Sequence, residues 1–232
     1  MVTKRINLKL SGNNNGFTIL ELIIATAIFS GALLMLMLGF LSISKSYTRG
    51  LTVTETQNTA RNVINAASQS IEFGSISSYQ PPPLPPPSGP VSGWFCADNY
   101  IFAYTLGQEV TASHNALEKI PSAICPIPSS NCPTQPGAIS ADCYANATGA
   151  VELLGPRMRL AALSITPQPE GTYQIDIKVV YGDDSFLKAV VLSGRQYYYD
   201  IGSNKVTCTG RSTVNFCAVS ELQTVVGARI DN

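Results

Sequence analysis

The feature that most constrains this chain is a long apolar segment close to its N-terminus. No charged residue occurs in the 23 residues from Leu22 to Ser44. At a rise of about 1.5 Å per residue, a helix of this length extends roughly 35 Å, which is enough to cross a bilayer. A cleavable secretory signal has a shorter apolar core that ends in small residues. We therefore expect residues 17–44 to form a transmembrane helix that the exported protein keeps.

The residues before this segment are polar and basic. Lys4, Arg5 and Lys9 lie in the first ten residues, with no acidic residue among them. Positive charge beside an apolar span favours the cytoplasmic side of the membrane. The sequence therefore predicts a single-pass protein in the inner (cytoplasmic) membrane with a cytoplasmic N-terminus and an exported remainder.

The helix is predicted to continue beyond the membrane as an amphipathic rod over residues 45–74. Proline is absent from residues 17–80, and Gly74 is a plausible end. Asn62, Asn65 and Gln69 fall on the polar side. The apolar side recurs at intervals of three, four and seven residues, at Val53, Ala60, Val63, Ile64, Ala67 and Ile71.

The chain beyond the helix divides into a proline-rich connector at 75–93 and a globular part at 94–232. Short strand-like segments occur at 100–104, 157–166, 173–181 and 186–192. Strict alternation in 173–179 predicts a half-buried strand, and residues 182–185 read as the turn of a hairpin to 186–192. An antiparallel sheet packed on the distal half of the helix would give an α+β fold.

The cysteines indicate an oxidising compartment. All six lie after the apolar segment, and an even number on one side of a membrane anchor is typical of disulfides. Buried free thiols are the alternative. No pair has Cys-x-x-Cys spacing and His114 is the single histidine, so we expect no metal site.

The sequence offers no signature of catalysis. Fifteen basic residues balance fifteen acidic ones, which gives no reason to expect nucleic acid as the main partner. His114 lies in a polar context that is typical of a surface histidine, and neither a G-x-S-x-G nucleophile motif nor a phosphate-binding loop is present. We therefore expect a protein that is not an enzyme and needs no cofactor.

The start of the apolar segment carries the most specific motif. The run Gly16-Phe17-Thr18-Ile19-Leu20-Glu21, after a short basic leader, resembles the class III signal of type IV prepilins and type II secretion pseudopilins. The resemblance implies that a prepilin peptidase removes residues 1–16 by cutting after Gly16. It also implies methylation of the new N-terminus at Phe17.

Glu21 is the candidate assembly residue. A carboxylate in an otherwise uncharged apolar helix is costly unless it finds a partner, so it is a functional hypothesis by default. The resemblance implies that it meets the amine of a neighbouring subunit and sets axial register. The alternative is a Glu at the membrane interface of a simple signal anchor. Packing between equivalent helices would involve residues that face lipid before assembly: Leu22, Ile23, Ile24, Ile28, Phe29, Leu33, Leu34, Leu36 and Leu38.

The resemblance also implies the fold, the partners and a disulfide. A pilin-like fold would carry a disulfide-bounded loop near the C-terminus, which names Cys208–Cys217 first. Cys125–Cys132 and Cys96–Cys143 are the next candidates among 15 pairings that six cysteines allow. The expected partners are other pilin subunits, the prepilin peptidase, an assembly platform and an external ATPase motor.

Three functions remain open at this point. The size of the chain favours a minor pilin of a cell-surface filament, or fimbrium, over a major one, with roles in adhesion, motility or DNA uptake. A type II secretion pseudopilin is the near alternative. A signal-anchored extracellular binding protein that never polymerises is the alternative of another class. Two aromatic runs, 94–95 and 197–199, are either an exposed adhesive patch or packed strand residues.

Overall fold

The computed structural model describes residues 18–74, 76–80, 91–121, 149–209 and 216–229. This part of the chain forms one α-helix and twelve strands. In chain order they are α1 (Ile19–Gly74), β1 (Ile76–Gln80), β2 (Val91–Ala97), β3 (Tyr100–Leu106), β4 (Leu117–Pro121), β5 (Val151–Glu152), β6 (Met158–Gln168), β7 (Thr172–Tyr181), β8 (Leu187–Lys188), β9 (Val190–Leu192), β10 (Arg195–Tyr197), β11 (Thr207–Cys208) and β12 (Ala218–Gly227).

The chain consists of two compact units, Met1–Lys45 and Ser46–Asn232. In the first unit, α1 is apolar and its large side chains are exposed. This segment is long and apolar enough to cross a membrane, and none of it is buried against protein. The predicted helix over 17–44 is present from Ile19 onward, and Phe17 lies outside the described residues. The first unit can therefore anchor the chain by a single pass.

In the second unit, α1 is amphipathic as the sequence predicts. Its buried side consists of Thr52, Thr56, Ala60, Val63, Ile64, Ala67, Ser70 and Ile71. Asn62, Asn65 and Gln69 are exposed on the other side. Thr56 is fully buried, and its hydroxyl donates to the Thr52 carbonyl oxygen at 2.8 Å, which removes the cost of burying a free hydroxyl.

The predicted end of the helix at Gly74 is confirmed, and the structure shows why this position requires a glycine. A Cβ on Gly74 would lie 2.2 Å from Cα of Asp98, so no side chain fits there. Asp98 occupies the turn between β2 and β3 with a φ of 55°. The backbone N–H of Arg229 donates to the Glu72 carbonyl at 2.9 Å and so satisfies a carbonyl in the last turn of the helix.

The main sheet has the strand order β1-β2-β3-β6-β7-β12, and β4 also pairs with β3 while β5 pairs with β4. The prediction of an antiparallel sheet is wrong in one place, because β3 pairs with β6 in parallel through Leu106 and Leu160. β4, β5 and a long stretch of sequence separate β3 from β6, and a long connection permits a parallel pair. The other pairs in the sheet are antiparallel. The fold is α+β with a mixed sheet.

Two other boundaries differ from the prediction. The connector expected at 75–93 is shorter, because residues 76–80 form β1 and β2 begins at Val91. β1 pairs with β2, and the buried side chains of β2 supply apolar contacts. The proline-rich composition of this part of the sequence does not indicate that pairing. Residues 81–90, where the polyproline segment was expected, lie outside the described residues.

The hairpin predicted at residues 182–185 is also wrong. Both edges of β7 are occupied, by β6 on one side and β12 on the other, so 186–192 cannot pair with it. Those residues instead form β8 and β9, which pair with β11 and β10. β7 instead forms a hairpin with β6, through a turn in which Glu170 and Gly171 have φ values of 66° and 71°.

The hydrophobic core lies in the second unit. Ala60, Val63, Ile64, Ala67 and Ile71 of α1 belong to the same buried cluster as the inward residues of the sheet. Phe95 and Phe102 stack within it at 4.5 Å between ring centroids. A smaller cluster contains Trp94, Cys96, Ile101, Ala103 and Ile120.

Candidate functional site

The N-terminal end of α1 carries a reciprocal capping arrangement between Thr18 and Glu21. The Glu21 backbone N–H donates to the Thr18 hydroxyl oxygen at 3.2 Å. In return, Glu21 Oε2 accepts from the Thr18 backbone N–H and hydroxyl, both at 3.4 Å. The Leu22 N–H donates to the Thr18 carbonyl at 3.2 Å and begins the helical ladder. Thr18 is thus the N-cap of a capping box, and Glu21 is its N3 residue.

This arrangement gives Glu21 a local partner in the single chain. A carboxylate at the first turn also interacts favourably with the helix dipole. Glu21 nevertheless stays exposed, and its apolar neighbours Leu22 and Ile23 are more than half exposed. The carboxylate therefore lies on an open apolar surface, where a group on another chain can reach it.

The motif residues Gly16 and Phe17 lie outside the described residues. Thr18 is the N-cap residue of α1, which the interpretation of the sequence missed. The signal was present, because Thr18-Ile19-Leu20-Glu21 has the S/T-x-x-E spacing of a capping box just before an apolar run.

The apolar residues that were expected to pack against other helices form the exposed surface of the first unit. Among them, Ile28 is 68% exposed and Phe29 is 65% exposed. Hydroxyl groups within this segment are satisfied by its own backbone, because Thr26 donates to the Ile23 carbonyl at 3.0 Å and Ser30 to the Thr26 carbonyl at 2.7 Å. The surface offered to lipid or to another helix is therefore apolar in effect.

Cys208 and Cys217 form a disulfide, the first pair named from the resemblance. Cys208 ends β11 and Cys217 immediately precedes β12, so the bond closes a loop between these two strands. Gly182, at the end of β7, approaches this loop closely: a Cβ there would lie 2.8 Å from the Phe216 carbonyl oxygen. Phe216 stacks on Phe186 with 5.7 Å between ring centroids.

The other two candidate disulfides cannot be placed. Cys96 is buried and disulfide-bonded. Cys125, Cys132 and Cys143 lie outside the described residues, and so the Cys125–Cys132 and Cys96–Cys143 pairings stay predictions.

Two buried cations fix the segments that follow β7. Arg159 is 3% exposed, and its Nη2 lies 2.6 Å from Glu109 Oε2 and 2.6 Å from Asp184 Oδ1. Lys178 is also 3% exposed, and its Nζ donates to both carboxylate oxygens of Asp200 at 2.9 Å. Asp200 in turn accepts from the Val206 N–H at 2.8 Å. These pairs attach the 182–184 and 200–206 segments to the sheet, and sequence spacing gave no sign of either.

The partly buried carboxylate of Glu152 connects β5 to the start of β4. Its carboxylate oxygens accept from the backbone N–H groups of Ala116, Leu117 and Leu154, at distances from 2.7 to 3.2 Å. Burial raises the pKa of Glu152, although the amide donors act in the opposite direction. The carboxylate holds the start of β4 beside β5.

The aromatic runs considered as an adhesive patch are mostly packed inside. Trp94, Phe95, Tyr197 and Tyr199 are buried, and Tyr198 is partly buried. Tyr197 and Tyr199 contact each other edge to face at 5.6 Å between centroids. The alternative of packed residues is confirmed: Trp94 and Phe95 of β2 belong to two different buried clusters, and Tyr197 and Tyr199 belong to the main core.

His114 is exposed in the loop before β4. Within the described ranges, no group of three or more His, Cys, Asp or Glu side chains could hold a metal ion.

Comparison of the chain with known protein families, curated proteins and solved structures found no match.

Proposed function

We propose that this protein is a structural subunit, a minor pilin, of a bacterial type IV pilus or a related filament. The observation that carries the proposal is the N-terminal end of α1. There a single carboxylate, Glu21, opens an exposed apolar helix and follows the Gly16-Phe17 signal. A carboxylate in this position serves assembly if a cation of another chain reaches it.

The proposed mechanism begins with the anchored precursor. The capping interaction with Thr18 satisfies Glu21 while the chain is stored in the membrane, which lowers the cost of a carboxylate near lipid. Removal of residues 1–16 by a prepilin peptidase then creates an ammonium group at Phe17. In the filament, this group on one subunit pairs with Glu21 of a neighbour.

Affinity between subunits comes from the apolar side chains of the first unit. These side chains contact lipid before assembly and equivalent helices afterwards. Replacing helix–lipid contacts by helix–helix contacts therefore costs little free energy, and the packing between helices determines whether assembly is favoured. An assembly platform and an external ATPase supply the work, and the filament lies at the cell surface. The Cys208–Cys217 loop and the buried ion pairs give the exported unit a fixed surface.

A type II secretion pseudopilin shares all of these features and remains the near alternative. A membrane-anchored binding protein that does not polymerise is the alternative of another class. It would keep the anchor and the exported unit, but it gives no account of Gly16, Phe17 and Glu21 occurring together.

The test is the intact mass and N-terminal sequence of the protein from sheared surface filaments and, separately, from membranes. We expect a filament species that begins at Phe17 and carries one added methyl group. A residue larger than Gly at position 16 should block this processing, whereas the same change at Gly12 should leave it intact. An uncut chain found only in membranes would favour the anchored binding protein.

A further inference from the structure

Two residues that follow β12 connect the end of the sheet to the end of α1. The Ala228 N–H donates to the Gly171 carbonyl oxygen at 3.2 Å. The Arg229 N–H donates to the Glu72 carbonyl oxygen at 2.9 Å, and Nε of Arg229 lies 3.7 Å from Glu72 Oε1. Cζ of Arg229 also lies over the Phe73 ring, 5.9 Å from its centroid. We call Ala228 and Arg229 the clasp, because they hold the last turn of α1 from the side of β12.

The clasp differs in chemistry from the rest of the interface between α1 and the sheet. Thr52, Thr56 and Ser70 lie on the buried side of α1, and each hydroxyl donates to a carbonyl oxygen of the helix itself, at distances from 2.8 to 3.1 Å. These hydroxyls therefore need no partner on the sheet. The remaining buried side chains pack through apolar contacts, which have no preferred direction. The clasp supplies directional contacts at the end of the helix.

The end of α1 is attached to both ends of the strand order of the main sheet. Chain continuity joins it to β1, which pairs with β2 at four positions and has a register shift after Ile76. The clasp joins it to β12, which pairs with β7 at ten positions. Because β1 is a short edge strand, the clasp connects the end of α1 to the more extensively paired side of the sheet.

The side chains of the clasp contact are open to solvent. Arg229 is 70% exposed and Glu72 is 42% exposed. An ion pair in this setting adds little to stability and is screened by salt. The adjacent core is different, because Ile71 is fully buried. The clasp can therefore open while the core stays packed, as a local opening event.

We propose that the clasp is a salt-sensitive device that controls opening of the junction between α1 and β1. When the clasp is closed, the last turn of α1 is held between β1 and β12. When it opens, this turn and β1 separate locally from the sheet, while the apolar packing from Thr52 to Ile71 keeps the sheet on the helix. The junction then yields first when the second unit is pulled away from its anchor. This device goes beyond the proposed function, because it acts in an anchored chain whether or not filaments form.

Hydrogen exchange of the full chain in detergent, followed by mass spectrometry, tests the device. Arg229→Gln removes the ion pair and the contact with Phe73, and Arg229→Pro also removes the backbone donor. In Arg229→Gln we expect exchange in peptides from the last turn of α1 and from β1 to rise roughly twofold to fivefold, the range for an exposed ion pair. The rise should be larger in Arg229→Pro. Exchange in β6 and β7 should stay unchanged in both variants.

Lys205→Gln is the matched control, because it removes the exposed ion pair between Lys205 and Glu221 of β12 without touching the clasp. Exchange at the end of α1 should match that of the unsubstituted chain in this variant. Combining Glu72→Arg with Arg229→Glu restores opposite charges and should recover most of the protection. Sodium chloride at about 1 M should bring the unsubstituted chain close to Arg229→Gln, because salt at this concentration screens an exposed pair.

Four results would overturn the proposal. The first is unchanged exchange at the end of α1 in Arg229→Pro. The second is an equal rise in β6 and β7, which would show general destabilisation. The third is the same rise at the end of α1 in Lys205→Gln, and the fourth is protection that the exchange of charges does not recover.

Discussion

Thr18 and Glu21 allow the two roles of the carboxylate to be separated. Glu21→Gln keeps a side chain that can cap at N3 but removes the charge, whereas Thr18→Ala keeps the charge and removes the N-cap at a cost of about 1 kcal/mol of helix stability. We expect Glu21→Gln to lower the fraction of protein in sheared filaments and Thr18→Ala to leave it nearly unchanged. Equal loss in both variants would assign the role to capping and contradict charge pairing.

The buried side chain of Tyr104 should make the free energy of unfolding depend on pH under alkaline conditions. Burial, and then the neighbouring Tyr79 side chain, raise the pKa of Tyr104, and burial raises the pKa of Tyr199 to about 12. In the unfolded chain a tyrosine titrates near about 10, so above this pH the unfolded state loses protons that the folded state retains. The free energy of unfolding is therefore undiminished below about pH 10 and falls above it, by about 1.4 kcal/mol per pH unit for each such tyrosine.

Tyr104→Phe should make the decline in the free energy of unfolding less steep, by the contribution of one tyrosine, about 1.4 kcal/mol per pH unit. The measurement is denaturant unfolding of the chain in detergent at about pH 9 and about pH 11, followed by the fluorescence of Trp94, the single tryptophan. Tyr47→Phe is the control because Tyr47 is 68% exposed. The same slope in Tyr104→Phe and the unsubstituted chain would contradict the assignment.

At the scale of the element, a glycine at the end of α1 and a glycine in its interior have opposite effects on stability. Gly74→Ala should lower the free energy of unfolding by about 1–3 kcal/mol, because its Cβ collides with the Asp98 backbone. Gly50→Ala is the matched change in the helix interior, where a Cβ meets nothing within 4 Å. It should raise helix stability by up to about 1 kcal/mol. Thermal unfolding followed by circular dichroism distinguishes the two, and a stable Gly74→Ala variant would contradict the contact.

The elements differ in how well the sequence predicts them. α1 is predictable along its length because composition and the period of its apolar residues carry the information. β7 is predictable from strict alternation, but its neighbours are not. β12 pairs with β7 over ten residues, and this pairing excludes the predicted hairpin with 186–192. Pairing partners depend on which edge is free, and that property is absent from the local pattern.

At the scale of the whole molecule, buried ion pairs attach the segments after β7 to the sheet. Lys178→Met should lower the free energy of unfolding by about 3–5 kcal/mol, because it leaves Asp200 largely buried without its cation. Lys205→Met is the matched control: Lys205 and Glu221 are both more than half exposed, so solvent screens the pair and the change should have little effect on the free energy of unfolding.

Adding Asp200→Asn to Lys178→Met should recover much of the loss. The double variant buries no unpaired charge, and the asparagine oxygen can still accept from the Val206 N–H. Denaturant unfolding of the three variants provides the comparison. A Lys178→Met variant as stable as Lys205→Met would show that the buried pair contributes little to stability.

The sequence by itself determined the apolar anchor, the amphipathic continuation of α1, its end at Gly74 and the α+β class. These properties depend on length, periodicity and single-residue chemistry, which act locally. The capping box at Thr18 and Glu21 was also readable, since it needs only residues three apart. Tertiary structure alone decided the parallel pairing of β3 with β6, the position of β12 and the pairing of Lys178 with Asp200. Each of these joins residues that are distant in sequence, and only the packed sheet brings them into contact.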